Sequence, residues 1–562
     1  MFSASLWQLV LVASSFLVVA ATNPTRVSRY VEKRNNDGPP SNFVTTENGQ
    51  FVVNGSAITF IGTNVYWLSV LNADEDVDNV FGNMSAAGIN LVRAWAFNDV
   101  EAIPENGTWF QLISNGTLSI NNGTNGLQKL DKIVQSAQDH GIYLVFSLTN
   151  NWNPTISSTV GPFQIASRTN SNSTTLPRNF LSNDYGGMDT YVRQFVKDQQ
   201  HDQFYTDENI INAFKNYTTQ VVSRYVNSPA IMGWELANDP RCNSTLPAGS
   251  LCTTTTVTQW HSTLAQHVKS VDPNHLVTSG NQGFFCADCP KLFQKTTPPP
   301  PPPPPQTSPA PGQRRRSIPV LTKASLLQEQ RDMQKKRKRS ADGIRVRGRW
   351  VASHTRRQED VGVGPAFDGS QGVDSEDILS IPQIGFGTFQ LFPDQDTYGF
   401  DDPSLSPFDN VVQIGTNWIQ RQAAAGQRTG KPVSLTGFGL VTQDNAPDFV
   451  PFNSSVAPLQ SDPVSATSFG VTDDQRDQAY TQWLSTGISG GLSAMLQYQW
   501  SQQGLTTQAG TTVSPVQNES GVVPISDTSG VSPNDGYGIQ GVGQAEAQGV
   551  LQTASQSVAR QG

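Results

Sequence analysis

Eight short runs rich in β-branched and aromatic residues recur along the chain, with helical spacing or long polar loops between them, and this alternation most restricts the fold. The runs are residues 58–68 (ITFIGTNVYWL), 89–97 (INLVRAWAF), 142–150 (IYLVFSLTN), 231–239 (IMGWELAND), 275–283 (HLVTSGNQG), 385–393 (GFGTFQLFP), 432–440 (PVSLTGFGL) and 493–500 (SAMLQYQW). Helical patterns between them, for example at 126–140 and 208–225, supply the crossovers that parallel strands require. Eight such units over roughly 450 residues predict one closed (β/α)8 barrel, an α/β fold of the TIM-barrel class. A hairpin at 43–54, with turn chemistry at Asn48-Gly49, is expected to close the barrel bottom.

Composition narrows the function classes. The 562 residues carry a formal net charge of −9, unevenly placed. Between Arg314 and Arg357 lie 15 lysines and arginines against three acids, Glu329, Asp332 and Asp342, so the remainder holds 22 bases and 43 acids, a net charge near −21. A body this acidic repels phosphate backbones, which argues against nucleic acid as a partner. The basic stretch belongs to an insertion at 296–364 that opens with the prolines of 298–305 and runs through Arg314-Arg315-Arg316 and Lys335-Lys336-Arg337-Lys338-Arg339. Low hydrophobicity, self-repulsion and a polyproline start predict disorder between the fifth and sixth strands. The insertion reads as a loop cleavable at Lys338-Arg339, as a tether to acidic polymers, or as a tolerated addition, since loop-closure entropy grows slowly with length. Residues 516–562, rich in Gly, Ser and Gln, are expected to be a flexible tail, which bounds the barrel domain at 35–515.

The apolar run at 6–19, followed by Val19-Ala20-Ala21, predicts a signal peptide at 1–21 and a secreted, extracellular product. A membrane anchor is disfavoured because the run falls short of the roughly 20 residues needed to span. Glu32-Lys33-Arg34 marks the end of a candidate pro-segment at 22–34. Ten N-x-S/T sequons, at Asn54, Asn83, Asn106, Asn115, Asn122, Asn172, Asn216, Asn243, Asn453 and Asn518, suit a glycosylated surface. Four cysteines fit the same compartment: Cys242 and Cys252 flank a loop after the fourth strand, and Cys286 and Cys289 form a CxxC after the fifth. A zinc site lacks a second ligand pair at finger spacing, and a redox CxxC lacks a thioredoxin-like context.

Several long phrases carry a resemblance: GTNVYWL (62–68), LVRAWAFND (91–99), NNW (150–152), NDYGGMDTYVRQF (183–195), WELANDPRC (234–242), DPNHLVTSGNQGFF (272–285) and IGFGTFQLFP (384–393). The chain resembles the fungal endo-β-1,4-mannanases of glycoside hydrolase family 5, from about Phe43 to Trp500 without the basic insertion. The resemblance implies a (β/α)8 barrel that hydrolyses β-mannosidic bonds with retention, without metal or cofactor. It implies β-mannan or a related plant cell-wall polysaccharide as partner. It also implies the local cysteine pairings 242–252 and 286–289. Monomer is the default state for such a chain.

In that family the acid follows the Asn of the fourth strand, here Asn238, and so maps to Asp239; the nucleophile maps to Gly437 on the seventh. Glutamates are expected at both. A retaining glycosidase needs two carboxyl groups about 5–5.5 Å apart. Shortening one by a methylene displaces it by on the order of 1 Å, which can cost about 100-fold in rate. Without a nucleophile no covalent intermediate forms. By resemblance Arg93 sits under the nucleophile and Asn238 bonds a sugar hydroxyl. Gln390 stands where the sixth strand usually carries a His, and the eighth strand offers Leu496 where a Trp platform is usual. The hydrolytic apparatus therefore reads as lost or rebuilt.

Further candidates are weighed against blander roles. Trp67 and Trp152 are sugar-stacking candidates, whereas Trp95 fits the core equally well. Asp184 and Asp189 either bind hydroxyls or cap turns. Asp99, Asp394 and Asp396 could activate water but suit solvated or capping roles better, His140 falls at the barrel bottom, and Glu235 reads as an interior carboxylate paired with a base. The sequence thus supports a mannanase-like hydrolase, working weakly or not at all, or a glycan-binding protein on the same scaffold.

Overall fold

Asn48 and Gly49 adopt left-handed backbone conformations, with φ of 51° and 76°, so the chain reverses in two residues between strands Thr45–Glu47 and Gln50–Val53. This computed structural model describes residues 43–153, 177–294, 344–346, 349–351, 364–446, 448–449, 470–508, 511–515, 529–539 and 543–560. The hairpin and its third strand, Ser56–Ile58, lie under a barrel. Phe51 meets Phe60 and Phe386 at ring-centroid distances of 5.8 and 5.2 Å, and these residues pack with Leu91, Tyr143, Met232 and Leu496 into a lower core.

The barrel strands are β1 (Phe60–Asn64), β2 (Leu91–Trp95), β3 (Tyr143–Ser147), β4 (Ile231–Glu235), β5 (Leu276–Thr278), β6 (Gly387–Leu391), β7 (Val433–Phe438) and β8 (Ala494–Gln497). They run parallel in the order β5-β4-β3-β2-β1-β8-β7-β6, and a parallel bridge between Thr278 and Phe386 joins the two edges. The expected (β/α)8 barrel is thus the fold. Most strand residues are buried, as burial on both faces of a parallel sheet requires.

At least one helix follows each strand, and the last before the next strand are Asp74–Ala86, Gln128–Asp139, Glu208–Ser223, Thr254–Val271, Ser375–Leu379, Pro407–Thr429, Asp473–Gly490 and, after the eighth, Gln544–Ala559; Met188–Phe195 and Gln203–Thr206 are added after β3. Asp207 caps Glu208–Ser223 by accepting from the backbone N–H groups of Asn209 and Ile210. The eighth corrects the expected flexible tail. Residues 529–539 and 543–560 belong to the folded body, so the barrel domain extends beyond residue 515. Ser529–Val531 pairs with Gln503–Thr506 and Ser514–Pro515, and the last helix buries Ala547, Leu551, Ala554 and Ser555. The sequence concealed this helix because its buried stripe is mostly Ala and Ser, which barely stands out from a Gln-rich background.

The signal and pro-segment expectations lie outside the described residues. So does most of the insertion, within which strands Ile344–Val346 and Arg349–Val351 pair antiparallel. Its two ends are tied together. The Asp377 carboxylate accepts from the backbone N–H groups of Leu292, Phe293 and Gln294, and Phe285 N donates to Ala366 O at 2.9 Å. Two disulfides brace this upper face, Cys242–Cys252 and Cys286–Cys289, the local pairings expected.

Candidate active site

The C-terminal ends of the strands, where barrels present their chemistry, hold several of the residues singled out in the sequence. Beyond β4 the chain turns with Asp239 at φ 55°, a left-handed conformation that Asp tolerates better than most residues. Both Asp239 oxygens are engaged. Trp152 Nε1 donates to Oδ2 at 2.7 Å, Arg241 Nε donates to Oδ1 at 2.8 Å, and Arg241 Nη2 lies 2.7 Å from Oδ2. The carboxylate is thus held in a guanidinium fork and capped by an indole, accepting from both. Asp239 is 3% exposed.

Arg241 also reaches Asp396, Nη2 to Oδ2 at 3.6 Å, and its guanidinium lies over the Trp152 and Phe284 rings at 5.4 and 5.0 Å. Burial opposes its charge, but the Asp239 and Asp396 carboxylates outweigh burial and raise its pKa. Burial also raises the Asp396 pKa, Arg241 pulls it back down, and Asp239 adds to the rise. With one nitrogen 2.7 Å from Asp239 Oδ2 and 3.6 Å from Asp396 Oδ2, those oxygens are no more than about 6 Å apart, near the separations glycosidases use. Arg241 bridges that gap.

The other expected carboxylate position is crowded. A Cβ on Gly437 would lie 3.1 and 3.3 Å from Cζ and Cε2 of Phe392, and 3.9 Å from Asn64 Nδ2. Phe392 follows β6 and packs against Tyr498 and Tyr537 at 5.5 and 5.3 Å. Tyr537 comes from the connection between β8 and the last helix. Its hydroxyl accepts from Gln395 Nε2 at 2.9 Å, and its ring meets Phe449 at 5.5 Å. Beside it, Asp535 Oδ2 accepts from the Tyr498 and Ser182 hydroxyls at 2.7 and 2.8 Å. Gly536 makes the fit possible: φ is 100°, and a Cβ would fall 2.5 Å from Phe449 Cα. Residues 534–537 thus form a strap seated on the nucleophile half of the barrel mouth. Burial raises the Asp535 pKa against the opposing hydroxyl bonds from Tyr498 and Ser182.

Beneath both halves runs a buried polar layer. Arg93 forks onto Glu235, Nε to Oε2 at 2.9 Å and Nη2 to Oε1 at 2.5 Å, and also donates to Asn64 and Asn238. Glu235 is thus the interior carboxylate paired with a base that its strand parity predicts. Asn238 Oδ1 further accepts from Gln390 Nε2 at 3.2 Å, and Asn238 Nδ2 donates to Asn150. The structure therefore brings Arg93, Asn238, Asp239, Trp152 and Gln390 together.

Other candidates fall elsewhere. Trp67, expected as a sugar platform, is 0% exposed within the main core, so no ring face is open to a sugar. Leu496 belongs to the lower core, because its place on β8 faces Gly62 and the hairpin side; Tyr498 reaches the mouth instead. Asp184 accepts from Leu181 N at 3.3 Å within its own loop. Asp189 is buried against His201, Ser244 and Leu246 N. His140 lies 3.3 Å from Asp78. Burial lifts the Asp99 and Asp394 carboxyls to about 7, opposed by the bonds they accept from Gln111 and Val441 N.

Sequence reasoning missed Arg241, Phe392, Tyr498, Asp535 and Tyr537. Arg241 was available as the second residue after Asp239 in NDPRC, an i,i+2 pairing across a turn. Nothing local to Tyr537 announces its partner. The mouth is therefore asymmetric. On the acid side Trp152, Asn183, Asn238, Gln395 and Asp396 stay partly exposed, while the nucleophile side is filled.

Residues 41–299 match the family model for glycoside hydrolase family 5 β-mannosidase-like proteins. The chain is 37% identical over 448 residues to a protein named probable mannan endo-1,4-beta-mannosidase A-2 from Aspergillus terreus, covering 80% of each. It is 38% identical over 251 residues to mannan endo-1,4-beta-mannosidase A of Aspergillus aculeatus, covering 44% of this chain and 56% of that protein. Its fold is similar to the crystal structure of an endo-1,4-beta-mannanase from Rhizomucor miehei, with TM-score 0.56 and 25% identity, covering 92% of this chain and 99% of that one.

Proposed function

Because the chain belongs to the β-mannosidase-like branch of glycoside hydrolase family 5, we propose that it is directed at β-mannan and binds this polysaccharide without hydrolysing it as its relatives are named for doing. The observation that carries this reading is the Phe392 ring standing in the direction a Gly437 side chain would take. Loss of a nucleophile costs several orders of magnitude in rate, and even a Cβ at Gly437 would crowd the Phe392 ring at 3.1 Å. Asp239 adds to the deficit, since both of its oxygens are committed to Arg241 and Trp152.

What remains suits binding. Trp152 offers a partly exposed ring, and Asn183, Asn238, Gln395 and Asp396 offer hydroxyl partners beside it. The protein acts outside the cell on this reading. The apolar run at 6–19, the sequons and the two disulfides support export. No helix among the described residues is long and apolar enough to cross a membrane.

A second reading rests on the proximity of Asp396 to Asp239: slow hydrolysis by this displaced pair, with Arg241 moving aside when substrate binds. One experiment separates the two. Mannohexaose is titrated calorimetrically, and reducing ends released from β-mannan are counted in parallel, for wild type and Asp396→Asn. Binding with no release supports the first reading. Release abolished in Asp396→Asn establishes the second. Neither binding nor release removes both.

A further inference from the structure

A second surface feature lies away from the barrel mouth. Helices Asp74–Ala86 and Gln544–Ala559 flank an open groove of about 520 Å³, floored by Trp500 and the small residues Ala86, Ala87, Ala545 and Gly549. Its rim is amide-rich: Gln502, Gln503, Gln544, Gln548 and Gln552. Primary amides beside an indole suit a neutral, hydroxyl-rich ligand, and the volume is that of a small-molecule site. No lysine, arginine, aspartate or glutamate lines it, so charged ligands find no partner there.

The groove also contains its own point of attachment. Asn83, one of its lining residues, begins the sequon Asn83-Met84-Ser85 and is exposed on the first barrel helix. Asn83 Nδ2 donates to Gln502 Oε1 at 3.2 Å, and Trp500 Nε1 approaches the same oxygen at 3.4 Å. An N-linked glycan replaces one of the two Nδ2 hydrogens and leaves the other able to keep that bond. The glycan root would then be held at the groove wall rather than free in solvent.

We propose that the groove is the seat of the protein's own N-linked glycan, attached at Asn83 and lying along the glutamines between the first and last helices. The docked sugars bridge helix Gln544–Ala559 to helix Asp74–Ala86, alongside the direct bond from Ser555 Oγ to Gly88 O. This inference is independent of whether the barrel mouth cleaves or binds mannan. It requires only passage through a glycosylating secretory pathway.

The test uses the full chain secreted from a eukaryotic host. Glycopeptide mass spectrometry reports occupancy at Asn83 and at Asn106, an exposed loop sequon. Native-state digestion with an endoglycosidase then follows glycan loss at each position. The expected result is an occupied Asn83 whose glycan is released about tenfold more slowly than that of Asn106, with the difference vanishing in denaturant. Gly549→Trp projects an indole into the groove from a position whose Cβ has nothing within 4 Å; with the urea midpoint unchanged as the check on folding, the protection is expected to be lost. An unoccupied Asn83, equal release rates at the two sites, or protection that survives Gly549→Trp would each overturn the proposal. So would mannohexaose binding to bacterially produced, unglycosylated protein in a manner that Gly549→Trp abolishes, which would assign the groove to free polysaccharide.

Discussion

The Phe392 ring lies 3.1 Å from the point where Gly437 would carry a Cβ, so a side chain there requires the ring to give by a few tenths of an ångström. On the reading proposed above, restoring a carboxylate at the nucleophile position does not by itself restore a site. Gly437→Glu drives a carboxylate into a packed aromatic cluster, and overpacking of this kind costs about 1–3 kcal/mol. The variant should have a lower urea midpoint than wild type and should release no reducing ends from β-mannan. Brisk turnover by Gly437→Glu alone would show that Phe392 yields easily and that the mouth is not shut.

The strap makes a separate prediction. Tyr537 packs on Phe392, Tyr498 and Phe449, and removing a buried aromatic ring typically costs about 3–5 kcal/mol. Tyr537→Ala should lower the unfolding midpoint and uncover the nucleophile half. Mannohexaose should then bind more tightly to the variant than to wild type, provided the measurement is made below its melting transition. Unchanged affinity together with the expected destabilisation would mean that the strap is purely structural.

Arg241 places its single positive charge against two carboxylates, Asp239 and Asp396. Breaking such a buried arrangement from one side costs about 3–5 kcal/mol, because the charges left behind lose their partner. Arg241→Ala should be strongly destabilised at neutral pH and should recover part of the loss as the pH falls and the orphaned carboxylates take up protons. A penalty independent of pH would locate the loss in packing against Trp152 and Phe284 instead.

Asp99 and Asp394 set a pH dependence. Burial places their native pKa values at about 7, whereas in the unfolded chain such groups ionise near pH 3.9. Between about pH 4 and 7 the native state thus holds more protons than the unfolded state, so their contribution to stability falls as pH rises through that window and levels off above it. Urea midpoints should decline from about pH 5 to about pH 7.5, and Asp99→Asn with Asp394→Asn should flatten the profile. Identical profiles for wild type and the double variant would contradict the assignment.

The last helix shows why some of the fold was hard to read. Its Ala547, Leu551 and Ala554 stripe is buried, yet the segment has the composition of a linker. Helix propensity favoured it, but apolar contrast did not, and the barrel supplied the missing stabilisation by offering a surface between its first and seventh helices. The (β/α)8 alternation was legible because strands of β-branched and aromatic residues keep their character in any context. So was the Asn48-Gly49 reversal, where two left-handed residues suffice.

Trp67 shows the limit in the site itself. Its position after β1 matches a sugar platform, but its ring is enclosed by core residues that no local pattern specifies. By itself the sequence determined the barrel, the lower hairpin, and the presence of Asp239 and Gly437 at the ends of the fourth and seventh strands. Only the tertiary structure decided that Arg241 engages both oxygens of the first and that Phe392, backed by Tyr537, crowds the second. Periodicity and turn chemistry are properties of neighbouring residues along the chain, whereas which side chain occupies a shared volume depends on segments far apart in sequence that meet only when the barrel closes.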